Sequence, residues 1–88
     1  MISTIFLASP VEQQFKAFDK PLRKLLVKRL RALHSNPRPP DVTKLDSLEH
    51  LYRIREGDYR IVYAIRKRDL IVLAVKGRAR REDRRTGA

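Results

Sequence analysis

The segment 59–65 constrains the fold more than any other part of the sequence, because large apolar residues occupy every second position in it. Successive side chains of a β-strand point to opposite faces of the sheet. One face of this strand carries Tyr59, Ile61, Tyr63 and Ile65. The other carries Arg60, Val62 and Ala64. The pattern therefore predicts a strand with one face against a helical layer and the other face open.

Three more segments have the composition of strands. Residues 51–55 precede the turn Glu56-Gly57-Asp58, where Gly57 can adopt a positive φ. The run 70–75, LIVLAV, is apolar on both faces and predicts a buried strand. The N-terminal stretch 1–8 predicts the first strand of the sheet.

Two amphipathic helices are predicted between the first strand and the other three. Ser9 is expected to cap the first helix, with Pro10 in its first turn and Glu12 completing a capping box. Asp19-Lys20-Pro21 begins the second, which ends before Pro37 because the residue preceding a proline disfavours helical backbone. Its predicted apolar stripe is Leu22, Leu25, Leu26, Leu30 and Leu33.

These elements give the order β-α-α-β-β-β. We predict an α+β fold with two N-terminal helices packed on one face of a small, mainly antiparallel, four-stranded sheet. Residues 35–50 are expected to be irregular. A chain of 88 residues has room for one domain, so 1–88 is predicted to be a single domain with a basic tail at 79–88.

Charge is the first indication of function. The chain has 21 Lys and Arg against 10 Asp and Glu, a formal net charge of +11, which indicates a polyanionic partner. The absence of cysteine excludes a disulfide framework, a thiolate nucleophile and a Cys zinc site. No apolar run approaches the roughly 20 residues of a membrane-spanning helix, so no membrane partner is expected.

Arginines dominate the predicted open face. Arg53 and Arg55 share one face of their strand, Arg60 lies just beyond the turn, and Arg78 follows the last strand. Like charges repel, so folding alone does not favour such a cluster, whereas guanidinium groups bind phosphate well. The alternative is a set of solvated surface residues, and pairing with Glu56 or Asp58 would weaken the case for a site.

Each of the remaining candidates has a structural interpretation, and some have a binding role as an alternative. The three tyrosines, Tyr52, Tyr59 and Tyr63, alternate onto the core face and are predicted to pack there. His34 and His50 have no neighbouring ligands, and no metal site is predicted. Lys44 is expected either to contact the phosphate of a nucleic acid or only to flank the sheet. The C-terminal cations are predicted to bind nucleic acid electrostatically or to form a solvated arm; they include Lys76, Arg80, Arg81 and Arg84.

The motifs Lys44-Leu45, Tyr52-Arg53-Ile54-Arg55 and Gly57-Asp58-Tyr59-Arg60-Ile61-Val62-Tyr63 resemble the core signature of the RelE/ParE superfamily of toxins from toxin–antitoxin systems. The segment 75–78 resembles the basic segment after that family's last strand. The resemblance covers nearly the whole chain and is closest to the RelE branch, whose members cut messenger RNA in the ribosomal A site.

The resemblance implies a cytoplasmic, cofactor-independent and metal-independent endoribonuclease. A ribose 2′-OH would attack the adjacent phosphate and give a 2′,3′-cyclic phosphate and a free 5′-OH. Arg60 and Arg78 would hold the scissile phosphate, and Arg53 and Arg55 would orient the backbone. Asp41 is the loop carboxylate that best matches a base used by some relatives; otherwise it is a turn residue.

The resemblance also implies partners: an acidic, RelB-like antitoxin, the ribosome with its mRNA and rRNA, and operator DNA only through the antitoxin. Two positions depart from the RelE branch. It has lysines where this chain has Arg53 and Arg55, and a C-terminal tyrosine where this chain has Arg84. The open alternatives are a ParE-like inhibitor of DNA gyrase and a basic RNA-binding domain without nuclease activity.

Overall fold

The computed structural model describes residues 2–45 and 50–77. Two helices pack on one face of a sheet, as the α+β prediction required. In chain order the elements are β1 (Thr4–Leu7), α1 (Ser9–Ala17), α2 (Lys20–Ser35), β2 (Thr43–Lys44), β3 (Leu51–Glu56), β4 (Tyr59–Arg66) and β5 (Asp69–Lys76).

The sheet has five strands in the order β1-β5-β4-β3-β2, so the predicted count of four is wrong by one. β1 pairs in parallel with β5, and the other three pairings are antiparallel. The additional strand, β2, lies inside the stretch predicted to be irregular. Its two residues, Thr43 and Lys44, are too few to show an alternating pattern; they pair with Arg53 and Tyr52.

The core lies between the helices and the apolar face of the sheet, and the predicted division of β3 and β4 into two faces is confirmed. Ile61 and Tyr63 are fully buried on β4, while Arg60 on the same strand is exposed. From the helices the core receives Val11, Phe15, Leu26, Leu30 and Leu33. From β3, β4 and β5 it receives Tyr52, Ile54, Ile61, Tyr63, Ile65, Leu70, Val72 and Val75.

Three local predictions are wrong. The first helix is preceded by Ala8 as its capping residue, and no side chain caps it, because the helix already includes Ser9. Leu25 is exposed, because it lies at the edge of the apolar stripe of α2. Leu73 is exposed too: a bulge pairs Tyr63 with Val72 and leaves Leu73 without a partner in the ladder.

Two buried tyrosines hold the segment between α2 and β2 against the sheet. Their rings stack with centroids 5.7 Å apart. The Tyr63 hydroxyl donates a hydrogen bond of 2.7 Å to the carbonyl of Pro37. The Tyr52 hydroxyl accepts one of 2.9 Å from Nε of Arg38. The predicted packing role of Tyr52 and Tyr63 is therefore confirmed, and their hydroxyls also fix the path of residues 37–43.

Burial raises the pKa of Tyr63 from 10.0 to about 12, with a smaller contribution from neighbouring Tyr52. We predict that Tyr63→Phe lowers the free energy of unfolding at pH 7 by about 1 kcal/mol, because the Pro37 carbonyl loses its donor. The raised pKa means that this contribution is complete below pH 10 and is lost as the pH rises to about 12. Urea unfolding of both proteins across this range measures the difference; a difference that stays constant to pH 12 would contradict the assignment.

Candidate nucleic-acid interface

The face of the sheet that points away from α1 and α2, here called the open face, is organised in cross-strand rows. The pairing registers place side chains of neighbouring strands side by side. One row, the basic row, runs across three strands and consists of Arg55, Arg60 and Lys76. Another, the apolar row, runs across four strands and consists of Leu51, Ala64, Ile71 and Phe6. Between them lies a row with Thr43, Arg53, Val62 and Ala74.

A pocket of about 380 Å³ opens beside the basic row. Three of the four predicted arginines, Arg53, Arg55 and Arg60, line it. Asp41, Thr43 and Ile54 complete its lining. The register explains this geometry, because Arg55 lies directly opposite Arg60 across β3 and β4, and Arg53 is two residues away on the same face.

The basic row opposes folding electrostatically. Arg60 has Arg55 directly opposite on one side and Lys76 directly opposite on the other. Like charges in directly opposed positions destabilise a sheet by some tenths of a kcal/mol per pair. No ion pair joins Arg53, Arg55 or Arg60 to a carboxylate in the described part of the chain. Arg53, Arg55 and Arg60 are all exposed, so an external anion can reach their guanidinium groups from the described part of the open face.

Two nearby acids, Asp41 and Glu56, are held by a helix residue. Arg29 of α2, whose side chain is 21% exposed, places Nη2 2.5 Å from Oδ2 of Asp41 and Nε 3.3 Å from Oε1 of Glu56. The Nε group makes no hydrogen bond to any described residue, so the contact with Glu56 is an ion pair only. Glu56 thus pairs with α2 and not with the sheet arginines, and Asp41 lies at the edge of the pocket in an ion pair.

Lys44 and Lys76 lie on different faces of the sheet. Lys76 is in the basic row, next to Arg60. Lys44 pairs with Tyr52, whose side chain is buried on the helical side, so Thr43 and not Lys44 faces the pocket. Arg78, Arg80, Arg81 and Arg84 lie outside the described residues, and their roles stay predictions.

Sequence reasoning missed Arg29 and Thr43. Arg29 is one of several cations on α2, and only the fold shows that it faces Asp41 and Glu56. Thr43 gave no signal because β2 is so short.

Other features of the described residues are structural. Nε2 of His34 lies 3.3 Å from the carbonyl oxygen of Ser3 and joins the end of α2 to the N-terminal segment. Within residues 2–45 and 50–77, no three His, Asp or Glu side chains converge in a way that could hold a metal ion. Neither of the described helices is long and apolar enough to cross a bilayer.

We predict that Arg29→Met lowers the affinity for a single-stranded RNA oligonucleotide by about three- to tenfold, because Asp41 is then able to pair with the pocket arginines. Arg29→Met with Asp41→Asn should recover most of the loss. Arg68→Met removes the same charge from the exposed β4–β5 turn and serves as the control. Fluorescence anisotropy measures all four proteins; equal losses in Arg29→Met and Arg68→Met would contradict the role of Arg29.

Structural comparison shows the same fold in several toxins. The chain superposes on RelE of the archaeal RelE–RelB complex from Pyrococcus horikoshii with a TM-score of 0.78 and 26% identity, covering 91% of this chain and 99% of that one. The isolated Escherichia coli RelE toxin superposes with a TM-score of 0.77 and 22% identity, covering 92% of this chain and 89% of that one. The YoeB–YefM complex from Staphylococcus aureus superposes with a TM-score of 0.69 and 20% identity, covering 86% of this chain and 95% of that one.

Sequence comparison places the chain within a family. No curated protein sequence matches it. Residues 5–82, however, match the family described as the ParE toxin of the type II toxin–antitoxin system parDE. This match covers most of the chain, and it agrees with the superfamily that the sequence motifs predicted. The chain therefore belongs to the ParE toxin family of type II toxin–antitoxin systems, within the RelE/ParE superfamily.

Proposed function

We propose that this toxin is a ribosome-dependent mRNA endoribonuclease that acts in the cytoplasm and arrests translation. The observation that carries the proposal is the basic row, with Arg53 beside it, around a pocket whose lining carboxylate, Asp41, is paired with Arg29. The repulsion between the cations of such a row destabilises the folded state, and bound phosphates compensate for this repulsion. The fold that this chain shares with RelE of Pyrococcus horikoshii also supports the proposal.

The proposed reaction needs no cofactor. The 2′-OH of one nucleotide gives up its proton to water and attacks the adjacent phosphorus. A P–O bond forms as the bond to the 5′-oxygen of the next nucleotide breaks, and that oxygen takes a proton from water. The products are a 2′,3′-cyclic phosphate and a free 5′-OH. Arg60, at the centre of the basic row, would hold the phosphate and stabilise its developing charge, together with Arg78. Arg53 and Arg55 would bind the flanking backbone and position the 2′-OH in line.

Arginines suit this role through charge and geometry. A guanidinium group remains protonated near neutral pH and binds phosphate oxygens in bidentate fashion. It is a poor general base for the same reason. In the described part of the pocket the remaining titratable group is Asp41, which is ion-paired with Arg29. We therefore assign catalysis mainly to positioning and electrostatic stabilisation.

We predict that Arg55→Gln with Arg60→Gln lowers the rate of mRNA cleavage by about a hundredfold, because two charges that face the phosphate are removed. Primer extension after cell-free translation should show cuts at fixed positions within codons for the wild type. The control, Arg66→Gln with Arg68→Gln, removes two charges from the other end of β4 and should cleave normally. A folded double variant that cleaves like the wild type would refute the site, and equal cleavage without ribosomes would refute ribosome dependence.

The second candidate function is inhibition of DNA gyrase, and the match of residues 5–82 to the ParE family favours it. In that case the arginines would bind the enzyme or its DNA and no RNA would be cut. Supercoiling by purified gyrase in the presence of this toxin separates the two functions. Loss of supercoiling together with intact mRNA in the translation extract would support the gyrase function.

We propose that an acidic, RelB-like antitoxin neutralises the toxin by covering the open face and carries any contact with operator DNA. Relatives with this fold have been solved as toxin–antitoxin complexes, including RelE–RelB from Pyrococcus horikoshii and RelBE from Escherichia coli. The apolar row lies on the same face as the basic row, and Phe6 within it is 50% exposed. An amphipathic acidic segment would match both rows.

We predict that Phe6→Gln weakens binding to the proposed acidic antitoxin by about tenfold, because the variant no longer buries an aromatic ring. The matched control is Leu25→Gln, which removes another exposed apolar side chain, but from α2. Isothermal titration calorimetry measures both variants. Equal affinities for Phe6→Gln and the wild type would show that the antitoxin does not cover the apolar row.

A further inference from the structure

Helix α2 carries a second basic surface, separate from the open face. Its exposed side presents Lys20, Lys24, Lys28 and Arg31, here called the α2 basic face. They border a shallow groove together with Val27 and Arg23. On a helical projection these positions lie opposite the buried Leu26, Leu30 and Leu33. Since those leucines contact the sheet side of the molecule, the α2 basic face is on the opposite side from the basic row.

The charge of this surface is not neutralised within the described structure. Helix α2 contains no Asp or Glu. Both ion pairs among the described residues are made by Arg29, which lies on a different side of the helix. Arg23 donates from Nε to the carbonyl of Phe15 and from Nη2 to that of Phe18, so its charge is held in place beside the groove without a carboxylate.

The arrangement is unfavourable for the isolated helix. Lys20, Lys24 and Lys28 follow one another at intervals of four residues, which places them side by side on the helix surface. Like charges at this spacing cost a few tenths of a kcal/mol per pair. The surface thus carries an electrostatic cost that an external polyanion would remove, as on the open face.

The chemistry of the surface favours a line of phosphates over a protein partner. Protein interfaces depend on buried aromatic or aliphatic anchors, and this face offers only the half-buried Val27. Its cations extend over about 16 Å, at 1.5 Å per helical residue, in steps of about 6 Å. No Asn, Gln or aromatic side chain is present among them, and the Arg and Lys side chains of this face, although able to contact guanine, bind phosphate whatever the sequence. Phosphate contacts of this kind give affinity without sequence selectivity, which is how double-helical RNA is mostly recognised.

We propose that the α2 basic face docks the phosphate backbone of double-helical RNA while the open face engages a single strand. The choice of RNA over DNA rests on the proposed function, whose substrate would lie within a particle made largely of structured RNA. The two surfaces lie on opposite sides of the molecule, so both can be occupied at once. The α2 basic face then supplies the affinity for structured RNA, and the open face supplies the chemistry.

The test compares two variants that each lose four cations. Lys20→Gln, Lys24→Gln, Lys28→Gln and Arg31→Gln together remove the α2 basic face. Lys44→Gln, Arg53→Gln, Arg55→Gln and Arg60→Gln together remove the same charge from the sheet. The ligand is a labelled, blunt-ended RNA duplex, and anisotropy titrations are run over a series of salt concentrations. We expect the α2 variant to bind at least about tenfold more weakly, with a shallower salt dependence, and the sheet variant to lose much less.

Folding is monitored separately. Gln is a good helix former and the substitutions relieve like-charge pairs, so the α2 variant should have a Tm no lower than that of the wild type. Unchanged duplex binding by this folded variant would overturn the proposal, and so would an equal loss in both variants. Tighter binding of a DNA duplex of the same sequence would overturn the assignment to RNA. If the α2 variant keeps its affinity for the RNA duplex but loses its affinity for the antitoxin, the α2 basic face is a protein-binding surface and the proposal is wrong.

The outcome does not depend on nuclease activity, because the titrations use intact duplexes without ribosomes. Absence of mRNA cleavage together with an α2-dependent affinity for duplex RNA would refute the proposed function and leave this proposal standing. If the toxin cleaves mRNA and the α2 variant binds the duplex as tightly as the wild type does, the proposed function stands and the role of the α2 basic face is refuted.

Discussion

The alternation of side chains along β4 is the constraint on which the rest of the molecule depends. Ile61 and Tyr63 are fully buried against the helices, and this commits Arg60 to the other face of the sheet. A shift of one residue in register would bury the arginine and expose the apolar side chains, at a cost of many kcal/mol. The hydrophobic effect on one face of the sheet therefore holds the cations in place on the other. Arg55 and Lys76 are brought beside Arg60 by the same pairing.

Much of this arrangement could be predicted from sequence because it depends on a local pattern. The faces of β3 and β4, the turn at Gly57 with φ of 62° and the Asp19 cap of α2 all follow from residues close together in the chain. Features that depend on tertiary contacts could not be predicted in this way. The exposure of Leu73 follows from a bulge between β4 and β5, and two residues of β2 give no periodic signal.

In the candidate site, too, some features follow from the local sequence pattern and others depend on tertiary contacts. That Arg53 and Arg55 share a face with Arg60 could be predicted from alternation and a short turn. That Glu56 and Asp41 pair with Arg29 could not, because this ion-pair cluster joins α2, the segment before β2 and the end of β3. The cluster matters as much as the arginines themselves, since free carboxylates beside the pocket would compete with phosphate. The buried tyrosines contribute by fixing the path of the segment that carries Asp41 and Thr43.

The central claim is that the charge of the open face is maintained for an external polyanion at a cost to folding. The most direct measurement is made on one variant, Arg60→Gln, for which both Tm at low salt and affinity for single-stranded RNA are determined. The account predicts an unchanged or higher Tm, because two like-charge contacts disappear, together with an affinity at least about fivefold lower. A lower Tm with unchanged RNA affinity would show that Arg60 stabilises the fold and would contradict the claim.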